Sequence, residues 1–339
     1  MYAVKSLVKV RPLIACLIVI LFFSQVAKAK ESQEKPVVIR FSHVVSPTTP
    51  KGLMAEKFKE LIESRIGKEQ VVVEIFPNSQ LYSDSKVLDA LLAGNVEIAA
   101  PSVSKFRKYS QRFQVFDLPF IFASSQSARN FMTGEYGERL LHSLSPAGFH
   151  GFGYLSNGMR QLTANQPVIS PHDLNGVRIR YSGSKVAKAW LSSLKSNPQK
   201  ISFSKVYDSL KSNEIDAQMN TWSNILSKKF HTQQKYLLES NHSFSAYIVL
   251  TSSHFWKKIP VRFKRVVEQS IQDAIEYGND LVESELAQAR QEILDSGQVE
   301  VFNMSTSQRN DWVTAMLPIW QQFEDEVGRE LLKEAAAQR

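Results

Sequence analysis

The residues of this sequence best suited to chemistry are arginines in two segments. Asn157-Gly158-Met159-Arg160-Gln161-Leu162-Thr163 follows a glycine-containing apolar stretch, and Val177-Arg178-Ile179-Arg180-Tyr181 reads as a strand. Side chains alternate faces along a strand, so Arg178 and Arg180 point one way and Val177, Ile179 and Tyr181 the other. An arginine near the end of a buried strand needs an anionic partner, because an unpaired buried charge is costly. A bound carboxylate gripped by both prongs of the guanidinium would serve. An internal salt bridge to Asp or Glu would serve as well, and composition leaves the two open.

An enzyme needs a constellation of groups, and the familiar ones are missing from the sequence. It has no glycine-rich phosphate loop, no nucleophile elbow, no histidine pair flanking a glutamate at helical spacing and no EF-hand loop. The histidines at 43, 142, 150, 172, 231, 242 and 254 are dispersed, and each is expected to be a surface or hydrogen-bonded structural residue. No metal site and no cofactor is expected, and the chain is read as a non-enzyme.

The first thirty residues carry Lys5, Lys9 and Arg11, then an apolar run from Leu13 to Phe23, then Ala27-Lys28-Ala29. This is the layout of a secretory signal peptide, expected to be cleaved after Ala29 to release the protein outside the cytoplasmic membrane. The run is about half the length needed to cross a bilayer as a helix. Leu13-Ile14-Ala15-Cys16 resembles a lipidation box, but most of the apolar run follows the cysteine instead of preceding it. Cys16 is the only cysteine, so a chain starting at Lys30 has no disulfide and no thiolate ligand. Loss of residues 1–29 removes four bases and no acid, lowering the net charge from +8 to +4. The bases are scattered among acids and form no stripe with aromatics, so nucleic acid is not an expected partner.

The elements that must position the arginines follow in order. Val37 to Phe41 reads as a strand, and Thr49-Pro50 caps a helix ending at Gly67. Val71 to Phe76 is a strand, Ser83 or Asp84 caps a helix running to Gly94, and Val96 to Ala100 is a third strand. The order repeats with a strand at Val177 to Tyr181, a helix at Ser184 to Leu194, a short strand around Gln199 to Ser202, a helix from Ser204 and a strand at Ile215 to Met219. Two such units imply α/β lobes built on mostly parallel sheets, with a ligand cleft between them. Val261 to about Leu294 is amphipathic, forming one long helix or two abutting ones, and a terminal helix buries Trp312, Met316, Trp320 and Phe323.

The chain resembles, nearly end to end, the DctP-type solute-binding subunits of tripartite ATP-independent periplasmic (TRAP) transporters. The resemblance rests on Phe41-Ser42-His43-Val44-Val45, Phe76-Pro77-Asn78-Ser79-Gln80-Leu81, Val115-Phe116-Asp117-Leu118-Pro119-Phe120-Ile121-Phe122 and Arg160-Gln161-Leu162-Thr163. It continues through Asp173-Leu174-Asn175-Gly176-Val177-Arg178-Ile179-Arg180, Phe203-Ser204-Lys205-Val206-Tyr207 and Asn220-Thr221-Trp222-Ser223-Asn224.

The resemblance implies a two-lobed periplasmic-binding-protein-like fold with a long lobe-spanning helix near the C-terminus. The implied lobes are 30–157 with 246–285, and 158–245 with 286–339. It also implies a monomer that delivers an organic acid to a small and a large membrane permease subunit. In the family an arginine of the strand after the Asp-Leu-x-Gly turn holds the ligand carboxylate, which maps to Arg180. Arg160 takes the second arginine position, Asn220 a contacting asparagine and Phe203 an aromatic wall. Lys105, in the stretch Ser102-Val103-Ser104-Lys105-Phe106, falls where polar contacts reach the far end of the ligand. The Asn-Thr-Trp-Ser-Asn stretch, with Trp222 at its centre, is similar to binders of C4-dicarboxylates such as succinate, fumarate and malate. A second carboxylate needs a second cation, Lys105 or Lys51, although a lysine at a helix start is ordinarily solvated. His43 is the remaining candidate contact, expected instead to be a hydrogen-bonded strand-end residue. A chemosensory role, a periplasmic organic-acid enzyme and the binding of a sugar acid or 2-oxo acid are the alternative readings.

The sequence departs from the family's usual wording at Lys205 and Met219, each replacing an acid, and at Asn213 and Ala217, each replacing glycine. The glycine changes are tolerable if those backbones avoid positive φ.

Overall fold

The structure, a computed structural model, describes residues 35–337. The expected signal peptide lies outside the described residues. Among those described, no helix is long and apolar enough to cross a membrane.

Among the described residues, eleven strands form two mixed sheets. They are β1 (Val37–Ser42), β2 (Val71–Phe76), β3 (Ile98–Ala99), β4 (Phe149–Met159), β5 (Gln161–Ala164), β6 (Arg178–Tyr181), β7 (Asn197–Lys200), β8 (Ala217–Asn220), β9 (Tyr236–Glu239), β10 (Phe244–Ser252) and β11 (Glu300–Asn303). The first sheet has the order β2-β1-β3-β10-β4 and the second β11-β9-β5-β8-β6-β7. Parallel pairing holds where the sequence repeats strand, helix, strand: β1 with β2 and β3, and β6 with β7 and β8. Antiparallel strands extend each set, β10 and β4 in one sheet and β5 in the other. The architecture is the two-lobed α/β fold expected, with helices flanking both sheets.

Local signals set several boundaries. Thr49 caps the Pro50–Ile66 helix, its side chain accepting from the Gly52 N–H, and the proline occupies the first turn, where no donor is lost. Ser184 caps the Lys185–Ser193 helix in the same way. The helix expected from Ser83 or Asp84 begins later, at Val87, with no side-chain cap. Asp84 is engaged elsewhere, accepting from the backbone N–H of Ser102 at 3.3 Å. The third strand is shorter than expected, Ile98–Ala99, and the chain beyond it reaches the cavity at Ser102.

Val261–Asp295 is a single helix. Its first half, through Phe263, Val267, Ile271, Ala274 and Ile275, packs in the core of the first sheet. Its second half, through Val282, Leu286, Ala289 and Ile293, packs against elements of the second. Gly278 lies at the junction, where a Cβ would stand 2.8 Å from both Leu155 Cδ1 and Met54 Cβ. Alanine is the better helix former by about 1 kcal/mol. The crowding should nevertheless reverse that order, and Gly278→Ala is expected to lose about 1 to 3 kcal/mol of unfolding free energy. Urea denaturation measures it, and a more stable variant would show that the helix has room to move off the sheet.

The chain passes between the sheets three times, once along the Val261–Asp295 helix on the way to β11 and twice at neighbouring points. It leaves the first at Met159, the end of β4, and starts the second at Gln161; it returns between β9 and β10. Arg160 is the residue at the outward crossing, and its backbone N–H bonds to Ser243 O of the return segment at 2.8 Å.

Candidate functional site

Arg178 and Arg180 share a face of β6 but meet different surroundings. Arg178 donates to Asp216 through Nε (2.9 Å), and the Asp216 carboxylate also accepts from the Arg178 backbone N–H (3.0 Å). This internal pair holds the Asp216 carboxyl below its ordinary range. Arg180, one side-chain period further along, is only 6% exposed, and its Nε donates to the backbone oxygen of Ile201 at 3.0 Å. Burial lowers its pKa to about 10, with the Arg160 charge acting in the same direction. Among the described residues neither Arg180 nor Arg160 has a carboxylate within ion-pair distance.

Arg160 reaches Ser243 Oγ (3.2 Å) and Phe244 O (2.8 Å) through Nη1, so its guanidinium also ties to the returning strand. Burial pulls its pKa down, and Asp117 partly restores it. Burial conversely pushes the Asp117 carboxyl up, against the Arg160 charge.

These groups line one cavity of about 70 Å³, room for several waters or a small organic acid. Phe203, Trp190 and Met219 form apolar wall, and Ser102, Asn220 and Tyr247 add polar atoms. Asn220 Oδ1 is held by Asn224 Nδ2 at 2.8 Å. Of the residues expected at a binding site, Arg160, Arg180, Asn220, Phe203 and Ser102 are thus brought together.

The other four lie elsewhere. Lys51 is not solvated: it is fully buried, donates to Ala100 O at 2.9 Å and sits 3.4 Å from the centre of the Tyr247 ring. It therefore stands behind a cavity-lining side chain, and burial lowers its pKa to about 8. Lys105 lines a neighbouring basin, where its ammonium bonds to Ser182 O. His43 is buried edge-on to Phe41 and lines neither space; burial and the Lys51 charge lower its pKa to about 3, which keeps it neutral. Trp222 packs in the core with Val206, Ile225 and Val282, its ring facing the Arg290 guanidinium instead of the cavity.

Sequence reasoning did not single out Asp117, Asp84, Trp190, Asn224, Ser243, Ser245 or Tyr247 for this cavity. A usable signal existed for three of them. Ser243, Ser245 and Tyr247 recur at every second position along the buried run that forms β10, the period of a strand with one polar face.

The departures from family wording fall into place. Asn213 does have positive φ, 55°, contrary to the condition under which a glycine replacement is free; asparagine is the residue after glycine that adopts this region most readily. Ala217 lies in β8, where extended backbone suits any residue. Met219 lines the cavity, whereas Lys205 is exposed and lines no part of it.

The family model for bacterial extracellular solute-binding protein, family 7 (DctP), matches residues 41–326. This chain belongs to that family. A C4-dicarboxylate-binding periplasmic protein DctP from Shewanella loihica is 43% identical over 89% of this chain and 90% of its own. Among solved family 7 structures, a TRAP periplasmic solute-binding protein from Shewanella oneidensis with bound succinate is 43% identical, with a TM-score of 0.88 over 89% of this chain and 99% of its own. One from Pseudomonas aeruginosa with bound L-malate is 34% identical, with a TM-score of 0.82 over 85% of this chain and all of its own, 100%. Family 7 members are solute-binding proteins of transporters, and a buried, unpaired pair of arginines is a chemically apt centre for an anionic solute.

Proposed function

We propose that this protein is the extracytoplasmic solute-binding subunit of a TRAP transporter, exported by a cleaved leader, and that its cavity holds a C4-dicarboxylate for delivery to the membrane permease subunits. The observation that carries the reading is Arg180: buried, directed into the cavity and lacking the carboxylate that its neighbour Arg178 has in Asp216. A ligand carboxylate supplies the missing partner.

Charge favours a dianion. Two arginines and two aspartates line the cavity, and Lys51 and Lys105 touch the lining residues Tyr247 and Ser182. Four cations against two carboxylates leave a surplus that two ligand carboxylates neutralise. The relatives with bound succinate and malate support the same class of ligand.

Melting the protein with a panel of acids tests the proposal. Ligand at a hundredfold excess over its Kd stabilises the folded state by about 2.7 kcal/mol, so succinate, fumarate and malate should each raise Tm by several degrees. Butyrate, with one carboxylate, should raise it far less. An equal response to butyrate, or a response to galactonate and none to the dicarboxylates, would reassign the ligand.

A further inference from the structure

A second basin of about 400 Å³ opens beside the inner cavity, and Asp84 and Ser182 line both. One rim carries Lys105, Arg107 and Lys108 on the 3-10 helix Val103–Lys108. The other is the Ser182-Gly183 turn that follows β6, together with Lys200 at the end of β7. Gly183 has φ +102°, and a Cβ there would stand 3.1 Å from Lys200 Cε and 3.9 Å from Lys105 Nζ. Two lysines from opposite rims therefore converge on one spot.

Their charges are only partly answered by protein, Asp84 and Asp117 acting on Lys105 without forming an ion pair with it. Lys108 is balanced by Asp89 at 2.7 Å. Lys105 hydrogen-bonds to the carbonyl of Ser182, and among the described residues neither it nor Arg107 nor Lys200 has a carboxylate within ion-pair distance. Four cations, Lys105, Arg107, Lys108 and Lys200, line the basin against two acids, Asp84 and Asp89, and this excess suits it to an anion. Arg107 and Lys200 are exposed, and charges in such positions act chiefly on association rate, because water screens their contribution to a bound state.

We propose that this basin is an outer anion site, which captures a dicarboxylate at Lys105, Arg107 and Lys200 before it passes the Lys105–Ser182 contact to Arg160 and Arg180. The proposal rests on the reading of the inner cavity as a carboxylate site. A concave surface with an excess of one sign raises the local concentration of opposite ions and so the association rate. Lys105 suits the boundary, since its ammonium can leave the Ser182 carbonyl for a carboxylate by rotation about its flexible stem.

Stopped-flow mixing with succinate, read by the fluorescence of Trp190 in the cavity wall, tests it. The variants are Lys200→Gln, Arg107→Gln, the double variant, and Lys257→Gln as a control of equal charge change at an exposed residue outside both spaces. At about 10 mM ionic strength each basin variant should lower the association rate constant about threefold and the double about tenfold, with the dissociation rate constant unchanged. Lys257→Gln should match the wild type, and about 0.5 M salt should erase the differences. An unchanged association rate in the double variant, an equal fall in Lys257→Gln, or an effect confined to dissociation overturns the outer site while leaving the inner one standing. If calorimetry shows that the wild type binds no dicarboxylate, the inner-cavity reading fails and the outer site with it.

Discussion

Arg180→Met is expected to weaken succinate binding by roughly thirtyfold or more and, at the same time, to make the ligand-free protein more stable. The two effects share one cause. In the ligand-free protein Arg180 is buried beside a second arginine with no acid within ion-pair distance, and its charge is disfavoured strongly enough to bring its pKa down to about 10, although Asp84 acts in its favour. A shift of that size corresponds to about 3 kcal/mol, an upper bound on what replacement by an uncharged side chain of similar length recovers. The substitution leaves one backbone acceptor, Ile201 O, without its side-chain donor, which returns about 1 kcal/mol. A net rise in Tm of a few degrees remains. With ligand present the sign reverses, because removal of one partner of a desolvated arginine–carboxylate pair costs about 2 to 5 kcal/mol, a weakening of thirtyfold to several thousandfold. Arg178→Met is the contrast: it leaves the Asp216 carboxylate without its guanidinium and should destabilise the fold without removing a cavity group. Titration calorimetry and melting of both variants separate the roles. If Arg180→Met binds succinate with wild-type affinity, or melts lower than Arg178→Met, Arg180 belongs to the framework and not to the ligand.

The second large effect concerns Lys51 and is a pH dependence of opposite sign for folding and for binding. Its pKa in the fold is about 8, against 10.5 for a solvated lysine. Between those values the unfolded chain binds the proton and the folded one does not, so the stability of the ligand-free protein rises with pH across this window, by up to about 3 kcal/mol from Lys51 alone. A bound dianion favours the protonated form and lifts the pKa again. Affinity should therefore be flat below pH 8 and fall above it, approaching tenfold per pH unit as binding has to restore the proton. The titrations facing Lys51 lie outside this window: His43 titrates near 3 and Tyr247 is pushed far upward by burial, while the charge of Asp84 favours the lysine cation. Lys105 is also shifted downward by burial, so the decisive comparison is Lys51→Met. That variant should bind succinate at least tenfold more weakly at pH 7, lose most of the decline above pH 8 and discriminate less between succinate and butyrate. An alkaline decline that survives in Lys51→Met would move the second cation to Lys105.

The sequence by itself determined what nearest neighbours along the chain can specify. The Thr49-Pro50 start of a helix, the alternation in Val177–Tyr181 and the apolar period of Val261–Asp295 act within a few residues, and each appears in the fold close to where the pattern places it. Strands lacking such a pattern were not legible. All nine residues of β10 are buried, and beyond Tyr247 its apolar run has no period to distinguish it from a core helix.

Tertiary structure alone decided which charges are answered. Arg178 and Arg180 have the same residue type, strand and face, and no local pattern tells them apart. Asp216, 38 residues away, settles it by pairing with the first and not the second. Lys51 follows the same logic: its position at a helix start reads as solvated, but strand β10 sets the Tyr247 ring against its ammonium and removes the water. Helix caps and strand periods are short-range and survive in any context, whereas the cost of a buried charge depends on every group within several ångströms, and those groups are gathered only when the chain has crossed between its two sheets.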